Sequence, residues 1–131
     1  MRIHLDTNLL ISKPRWELLP TGDHEFLVSA IVFAEFSEGG AHPDPDIAAR
    51  ARLDLIRHRS TYGDGLAFGQ READIYRELS ALVAGTGRSP GGRRRADLMI
   101  AAVAVGDGAA LATRNTSDFE GLEPLLRVVG L

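Results

Sequence analysis

Residues 98–113, LMIAAVAVGDGAALAT, give the clearest indication of fold class in the sequence. Leu98 to Val105 is apolar on every side of a helix, which predicts a helix buried inside the protein rather than one on its surface. The apolar run that follows, Ala109 to Thr113, predicts a short strand. A buried helix that leads into a strand is typical of domains in which helices pack against a sheet.

The remainder of the chain shows the same alternation of short strands and helices. Residues 2–5 predict a first strand, Thr7 begins a short helix, and Ser29 caps a helix from Ala30 to about Glu38. Hairpin turns are missing between the predicted strands, so we expect an α/β domain with a mainly parallel central sheet. The further predicted elements are strands at 26–28 and 126–129, an extended piece at 65–68, a helix from Asp44-Pro45 with Ile47, Ala51 and Leu55 on one face, and a helix from Gln70 to Gly85.

The composition limits the possible classes of protein. The chain has 131 residues, which fits one domain spanning residues 1–131. It has no cysteine, which excludes a disulfide scaffold, a zinc–thiolate site and a thiol nucleophile. No run approaches the ~18 apolar residues of a membrane span, and Asp6 is an acid too early for a signal peptide. We therefore expect a cytoplasmic protein without a membrane partner. The net charge of −3 at first argues against a nucleic-acid partner.

Three acidic residues are expected near one edge of the predicted sheet. Asp6 follows the first strand and Asp118 follows the strand that ends at Thr113, and parallel sheets bind ligands beyond the carboxyl ends of their strands. Asp97 directly precedes the apolar helix. Taken singly, Asp6 and Asp97 are also typical helix caps, and Asp118 is a typical turn residue.

Glu35 is harder to explain as a local feature. It shares a helix face with Ile31 and Val32, so its carboxylate is desolvated unless another group pairs with it. A partly exposed acid near the end of the helix is the simpler alternative. Four carboxylates at close range stay ionised together only when cations neutralise them. Oxygen ligands without histidine or cysteine suit one or two Mg²⁺ or Mn²⁺ ions.

These four acids lie in four short blocks of sequence. The blocks are Asp6-Thr7-Asn8, Ala34-Glu35, Arg95-Ala96-Asp97-Leu98-Met99-Ile100-Ala101-Ala102, and Thr113-Arg114-Asn115 followed by Asp118-Phe119. In this order and spacing they resemble the PIN domain, and most of all the VapC-type toxin ribonucleases of bacterial toxin–antitoxin pairs. The resemblance covers the chain from Asp6 to Asp118. It implies a three-layer α/β/α fold with a parallel sheet between helices.

The resemblance also implies a function, Mg²⁺- or Mn²⁺-dependent hydrolysis of RNA phosphodiester bonds. It implies that Thr7 and Thr113 orient the ligands or the attacking water. It further implies a homodimer, a cognate antitoxin protein, and contact with DNA only through the antitoxin complex. Without the four acids, 15 basic residues stand against 14 acidic ones, so the net charge no longer argues against RNA. The implied catalytic and metal ligands are Asp6, Glu35, Asp97 and Asp118, with Asn115 as the alternative fourth contact.

Four arginines lie shortly before Asp97 in the sequence. Because arginine bridges phosphate oxygens well, they predict contact with the RNA backbone. Contact with an acidic segment of an antitoxin, and a solvated run of charge without a partner, are the alternatives. These arginines are Arg88, Arg93, Arg94 and Arg95.

Two other functions are compatible with the sequence. Receiver and haloacid-type phosphotransfer domains also carry an aspartate at the end of the first parallel strand. Against them, Asn8 stands where the haloacid type usually has a second acid, and the only lysine, Lys13, is far from the receiver position near the end of the chain. The other alternative is a protein that mainly binds an antitoxin within an autoregulatory DNA-binding repressor complex.

Overall fold

The centre of the fold is a four-stranded sheet in which every strand pairs in parallel with its neighbours. The computed structural model describes residues 1–131. Its strands are β1 (Arg2–Leu5), β2 (Glu25–Leu27), β3 (Ala110–Thr113) and β4 (Val128–Gly130). They lie in the order β2-β1-β3-β4, so β1 and β3 are neighbours at the middle of the sheet. The predicted parallel α/β architecture is confirmed.

Five helices complete the fold. Three of their starts follow from the sequence: the Ser29 hydroxyl accepts the Val32 N–H, Asp44 accepts the Asp46 N–H, and Glu72 accepts the Gly69 N–H. Each of these bonds satisfies an N–H that has no partner inside its helix. The helices are α1 (Thr7–Ile11), α2 (Ala30–Ser37), α3 (Pro45–Tyr62), α4 (Gln70–Gly85) and α5 (Arg94–Gly106). Short 3-10 turns lie at Trp16–Leu18, Glu38–Ala41 and Thr116–Phe119.

The core lies on both faces of the two central strands. On β1, Ile3 and Leu5 point to one face and His4 to the other, and all three are buried. Every residue of β3 is buried as well. A parallel sheet covered on both faces has the layering expected of α/β proteins. Most of α5 from Leu98 to Ala104 is buried, which confirms the helix predicted to lie inside the protein.

The structure corrects the predicted start of α5. The helix begins at Arg94, three residues before Asp97, and the Arg93 side chain makes no capping bond. The Gly91 and Gly92 carbonyls accept the Arg94 and Arg95 N–H groups, which forms a lead-in turn. Asp97 therefore lies in the first helical turn and is not a helix cap.

The structure corrects one residue of the face predicted for α3. Ile47 is 49% exposed and Ala48 is buried in its place, whereas Ala51 and Leu55 are half-buried as that face requires. Because α3 packs mainly against α2 and the turn Glu38–Ala41, only a narrow stripe of the helix is covered. The strands β2 and β4 are also displaced by one or two residues from the predicted ranges, and the extended piece at 65–68 reduces to one bridge between Leu66 and Ser29.

Gly65 lies in close contact with the start of α2, the helix that carries Glu35. A Cβ atom at Gly65 would lie 2.6 Å from the Ala30 nitrogen and 2.9 Å from the Ser29 carbonyl carbon. Leu66 hydrogen-bonds the same backbone, because its carbonyl accepts the Ala30 N–H at 2.8 Å. Only glycine allows this approach without displacing the backbone.

We expect Gly65→Ala to destabilise the fold by about 1–3 kcal/mol, the usual cost of overpacking. Urea unfolding monitored by circular dichroism measures the change. Gly85→Ala is the matched control, because nothing lies within 4 Å of a Cβ atom placed there. The control is expected to be neutral or slightly stabilising. Equal unfolding midpoints for the two variants would show that the close approach at Gly65 is unimportant.

Candidate metal centre

Asp6 is a buried carboxylate held by three neutral donors at the end of β1. It is 6% exposed. One oxygen accepts the Thr7 N–H at 2.8 Å, and the other accepts the Thr113 hydroxyl at 2.7 Å and the Asn8 amide at 3.2 Å. Burial raises the pKa of Asp6, the Thr113 and Thr7 bonds oppose the rise, and the charge of Asp118 adds to it. Asp6 therefore caps α1 and lies in the carboxylate cluster at the same time.

Thr113 connects the ends of the two central strands. Its buried hydroxyl donates to Asp6 and accepts the Asn115 N–H at 3.1 Å and the Asn8 amide at 3.2 Å. The register explains this contact. Leu5 pairs with Ala112, so the residues that follow them, Asp6 and Thr113, lie side by side at the same edge of the sheet. The Asn8 amide oxygen also accepts the Arg114 N–H at 3.3 Å. Asn8 is a supporting residue to which the sequence assigned no role, although it lies in the Asp6-Thr7-Asn8 block.

Asp97 is the carboxylate most affected by its neighbours. It is half-buried in the first turn of α5 and accepts no hydrogen bond. Burial, followed by the charges of Asp6, Asp118 and Glu35, raises the pKa of Asp97 to about 7, and Arg94 opposes the rise. Since each of the other three acids acts on Asp97, the structure brings all four of them together.

Glu35 and Asp118 reach the cluster from elements outside the sheet. Glu35 is half-buried on α2, and its carboxylate accepts the Thr7 hydroxyl at 2.7 Å. Asp118 is half-buried on the turn Thr116–Phe119. Asn115 is exposed and its side chain forms no hydrogen bond, whereas the charge of Asp118 raises the pKa of Asp97. Asp118 is therefore the better placed of the two candidates for a fourth contact.

None of the four carboxylates has a basic partner. Every ion pair of the structure lies elsewhere in the molecule. The structure contains no group of three or more His, Cys, Asp or Glu side chains already arranged to hold a metal ion. The donor set nevertheless fits a hard divalent cation, because unpaired carboxylate oxygens that repel one another are the ligands such a cation neutralises.

The histidines do not contribute to this cluster. Each histidine has a hydrogen-bond partner elsewhere in the fold. His4 bonds Asp107 at 2.8 Å, His24 bonds the Pro20 carbonyl at 2.8 Å, His42 accepts the Asp44 N–H at 3.0 Å, and His58 bonds the Leu10 carbonyl at 2.9 Å.

The four arginines before Asp97 divide into two pairs. Arg88 donates to the Ser117 carbonyl, and Arg94 donates to the Asp118 carbonyl, both at 3.1 Å. Arg93 and Arg95 are exposed and their side chains form no hydrogen bond or ion pair. The first pair is bound to the turn Thr116–Phe119, and the second pair is available to a partner in solution. No helix of the structure is both long enough and apolar enough to cross a membrane.

The chain is similar to a known protein family in sequence and to several solved chains in structure. The sequence profile of the PIN domain matches residues 3–122. A search of curated proteins finds no match. VapBC-5, a toxin–antitoxin system from Mycobacterium tuberculosis, has a chain of 26% identity and TM-score 0.80, with 99% of this chain and 98% of that chain covered. FitAcB from Neisseria gonorrhoeae has a chain of 25% identity and TM-score 0.74, with 98% and 96% covered. FitAB bound to a DNA fragment has a chain of 26% identity and TM-score 0.66, with 98% and 94% covered.

Proposed function

The chain belongs to the PIN domain family, and on this basis we propose that it is a divalent-metal-dependent endoribonuclease, the toxin of a type II toxin–antitoxin pair. The observation that carries the proposal is the cluster of four unpaired carboxylates, whose charges act together on Asp97. The solved chain with TM-score 0.80 comes from a toxin–antitoxin complex, which supports the assignment. Family membership removes the basis for a phosphotransfer domain.

The chemistry that we propose is hydrolysis of an RNA phosphodiester bond. When bound, Mg²⁺ or Mn²⁺ supplies Lewis-acid stabilisation of the phosphate and a water of lowered pKa. Asp6 and Asp97 would hold the cation, with Glu35 and Asp118 completing the site. The water would lose a proton to solvent as its oxygen bonds to phosphorus, the bond to the leaving oxygen would break, and that oxygen would take up a proton from solvent. The protein forms no covalent bond to the RNA.

The supporting residues keep the carboxylates in place for this chemistry. Thr113 and Asn8 fix one oxygen of Asp6, and Thr7 fixes one oxygen of Glu35. These donors are neutral, so they orient the carboxylates without cancelling the charge that a cation needs. This is the arrangement expected when outer hydrogen bonds set the direction of metal ligands.

We propose that Arg93 and Arg95 contact the phosphates of the RNA. Replacing either with glutamine is expected to raise KM several-fold and leave kcat unchanged, because such a phosphate contact binds substrate and transition state equally. The salt dependence of 1/KM is expected to flatten by about 0.7 in a log–log plot for each phosphate that the variant no longer neutralises. Cleavage rates at several RNA and salt concentrations measure both effects.

Arg127→Gln is the control for the loss of one positive charge. Arg127 is exposed and lies with Arg2 and Gly108 beside the amino ends of the strands, away from the carboxylates. Its substitution should leave KM and its salt dependence at the wild-type values. If Arg93→Gln and Arg95→Gln do the same, these arginines do not bind RNA.

A second role, binding of a cognate antitoxin, is part of the same proposal. The similar solved chains come from VapBC-5, FitAcB and a FitAB complex bound to DNA. We propose that this chain likewise binds an antitoxin, acts as a homodimer, and reaches DNA only through the antitoxin complex.

Expression of the chain without a partner separates the catalytic role from one limited to binding. The wild-type protein should arrest growth, and the Asp6→Ala protein should not. Sequencing of RNA ends after brief expression should reveal discrete cleavage sites in the wild-type cells alone. If the two proteins are equally harmless and no new RNA ends form, a role limited to binding is favoured.

A further inference from the structure

We propose that Arg88 and Arg94 are positioning residues that hold the turn Thr116–Phe119, and with it Asp118, at the edge of the carboxylate cluster. The proposal rests on the proposed function, because it concerns how one cation ligand is kept in place. It also distinguishes these two arginines from Arg93 and Arg95, which are exposed and have no partner.

Asp118 needs external support because of the element that carries it. Asp6 follows a central strand, and Glu35 and Asp97 lie on helices of eight and thirteen residues. Asp118 lies on a single 3-10 turn of four residues, and its carboxylate accepts no hydrogen bond within the fold. Phe119 anchors the turn in the core at 1% exposure, and backbone bonds from Asp118 to Asn115 and from Glu120 to Ser117 close it, but neither bond uses the Asp118 carbonyl.

Arg94 supplies a second anchor from the helix that carries Asp97. Its Nη1 donates to the Asp118 carbonyl at 3.1 Å, in a part-buried position. Since Arg94 and Asp97 are three residues apart on α5, they lie on the same side of the helix. The bond therefore ties the backbone of one proposed ligand to the helix that carries another.

Arg88 supplies a third anchor from the loop after α4. Its Nη1 donates to the Ser117 carbonyl at 3.1 Å, and its Nη2 pairs with Glu120 at 2.9 Å. The guanidinium thus binds two nearby parts of the chain, one inside the turn and one directly after it. The rigid fork of arginine suits such a double contact.

Neither arginine forms an ion pair with a carboxylate of the cluster, although the nearby charge of Arg94 partly offsets the rise that burial causes in the pKa of Asp97. Arg94 forms no ion pair, and the only ion pair of Arg88 is with Glu120. A guanidinium paired with Asp97 or Asp118 would compete with a cation for the same oxygens. Donation to backbone carbonyls instead orders the turn and leaves all four carboxylates available for a cation.

The sign of one measurement separates positioning from simple electrostatics. Arg94→Ala removes a positive charge near the cluster, so electrostatics alone predicts tighter binding of Mn²⁺. Loss of the anchor predicts weaker binding, by about 10-fold or more, as for other outer partners of metal ligands. Isothermal titration with Mn²⁺ alone measures the affinity, and cleavage assays are expected to show a lower kcat with unchanged KM.

Three further variants keep the test decisive. Arg94→Lys retains a donor and the charge, and should recover most of the Mn²⁺ affinity. Arg88→Ala should weaken Mn²⁺ binding in the same direction as Arg94→Ala. Arg127→Ala, which removes a charge far from the cluster, should bind Mn²⁺ as the wild type does. Unfolding midpoints, measured in parallel, show whether each variant is folded at the temperature of the titration.

A double-mutant cycle tests whether Arg94 acts through Asp118. In Asp118→Asn protein, adding Arg94→Ala should cause no further loss of Mn²⁺ affinity. Unchanged or tighter Mn²⁺ binding by Arg94→Ala, or a full additional loss in the Asp118→Asn background, would overturn the positioning role and leave the proposed function intact. Wild-type protein that neither binds Mn²⁺ nor cleaves RNA would overturn both.

Discussion

Asp97→Asn protein is expected to fold normally and to cleave RNA more than about 100-fold more slowly than the wild type. Residues that only hydrogen-bond a metal ligand usually cost about 10–100-fold when replaced, and the loss of a direct ligand should exceed that range. Asparagine has the shape of aspartate but lacks the negative charge that a divalent cation requires. Asp97 also accepts no hydrogen bond in the fold, so the substitution removes no structural hydrogen bond. Cleavage of a defined RNA by purified protein, prepared free of wild-type copies, measures the loss.

The other carboxylates provide graded comparisons. Asp6→Asn is expected to be as inactive as Asp97→Asn. Asp118→Asn should lose more activity than Asn115→Ala, because the charge of Asp118 raises the pKa of Asp97 whereas the Asn115 side chain is exposed. Asp54→Asn is the control, since Asp54 pairs with Arg57 on α3 and belongs to the surface. Full activity in Asp97→Asn protein would contradict the proposed role of this residue.

The same substitution is expected to stabilise the protein when no metal is present. The folded state raises the pKa of Asp97 to about 7 from an ordinary value of 3.8, so folding favours the protonated acid. The stability that this gives is present below about pH 4 and is lost as the pH rises towards 7. Above pH 7, an ionised Asp97 close to three other carboxylates lowers the free energy of unfolding of the wild-type protein, whereas the neutral asparagine of the variant does not.

We expect the free energy of unfolding of Asp97→Asn protein to be about 1–2 kcal/mol higher than that of the wild type at pH 8 in chelator. The difference is this small because Asp97 is partly exposed and solvent screens its charge. The difference should grow between about pH 4 and pH 7 and remain constant above pH 7. Saturating Mn²⁺ should reverse the order, because a cation present at 100 times its Kd stabilises the protein that binds it by about 2.7 kcal/mol. Urea unfolding with and without Mn²⁺ measures these changes. A less stable Asp97→Asn protein at pH 8 in chelator would show that Asp97 is a structural residue.

The architecture and the position of the acids could be predicted because they follow from local signals. Short apolar strands that alternate with helices predict a parallel sheet, and the carboxyl ends of neighbouring parallel strands meet at one edge. Asp6 and Thr113 each lie at the end of such a strand, so their contact is a consequence of topology. Glu35 is half-buried two residues before the end of its helix, which lies between the desolvated carboxylate and the partly exposed acid that the sequence left open.

The roles of the arginines could not be predicted because they depend on contacts distant in sequence. Arg94 binds the backbone 24 residues away, and Arg88 binds it 29 residues away. In the sequence, Arg93, Arg94 and Arg95 form a uniform basic run, and nothing local distinguishes the residue that points inward. The same limitation applies to Asn8, whose amide reaches Thr113 from 105 residues away. The sequence therefore predicted the four acids and two supporting threonines, Thr7 and Thr113, which bond Glu35 and Asp6 in the structure. It did not predict the supporting contacts of Asn8, Arg88 and Arg94.

The dependence of RNA cleavage on a divalent cation is the most direct test of the proposed site. Purified wild-type protein should be inactive in excess chelator and should recover activity when Mn²⁺ or Mg²⁺ replaces the chelator. Asp97→Asn protein should stay inactive under both conditions. Equal cleavage by the wild-type protein with and without chelator would contradict the assignment of this carboxylate cluster as a metal-dependent nuclease site.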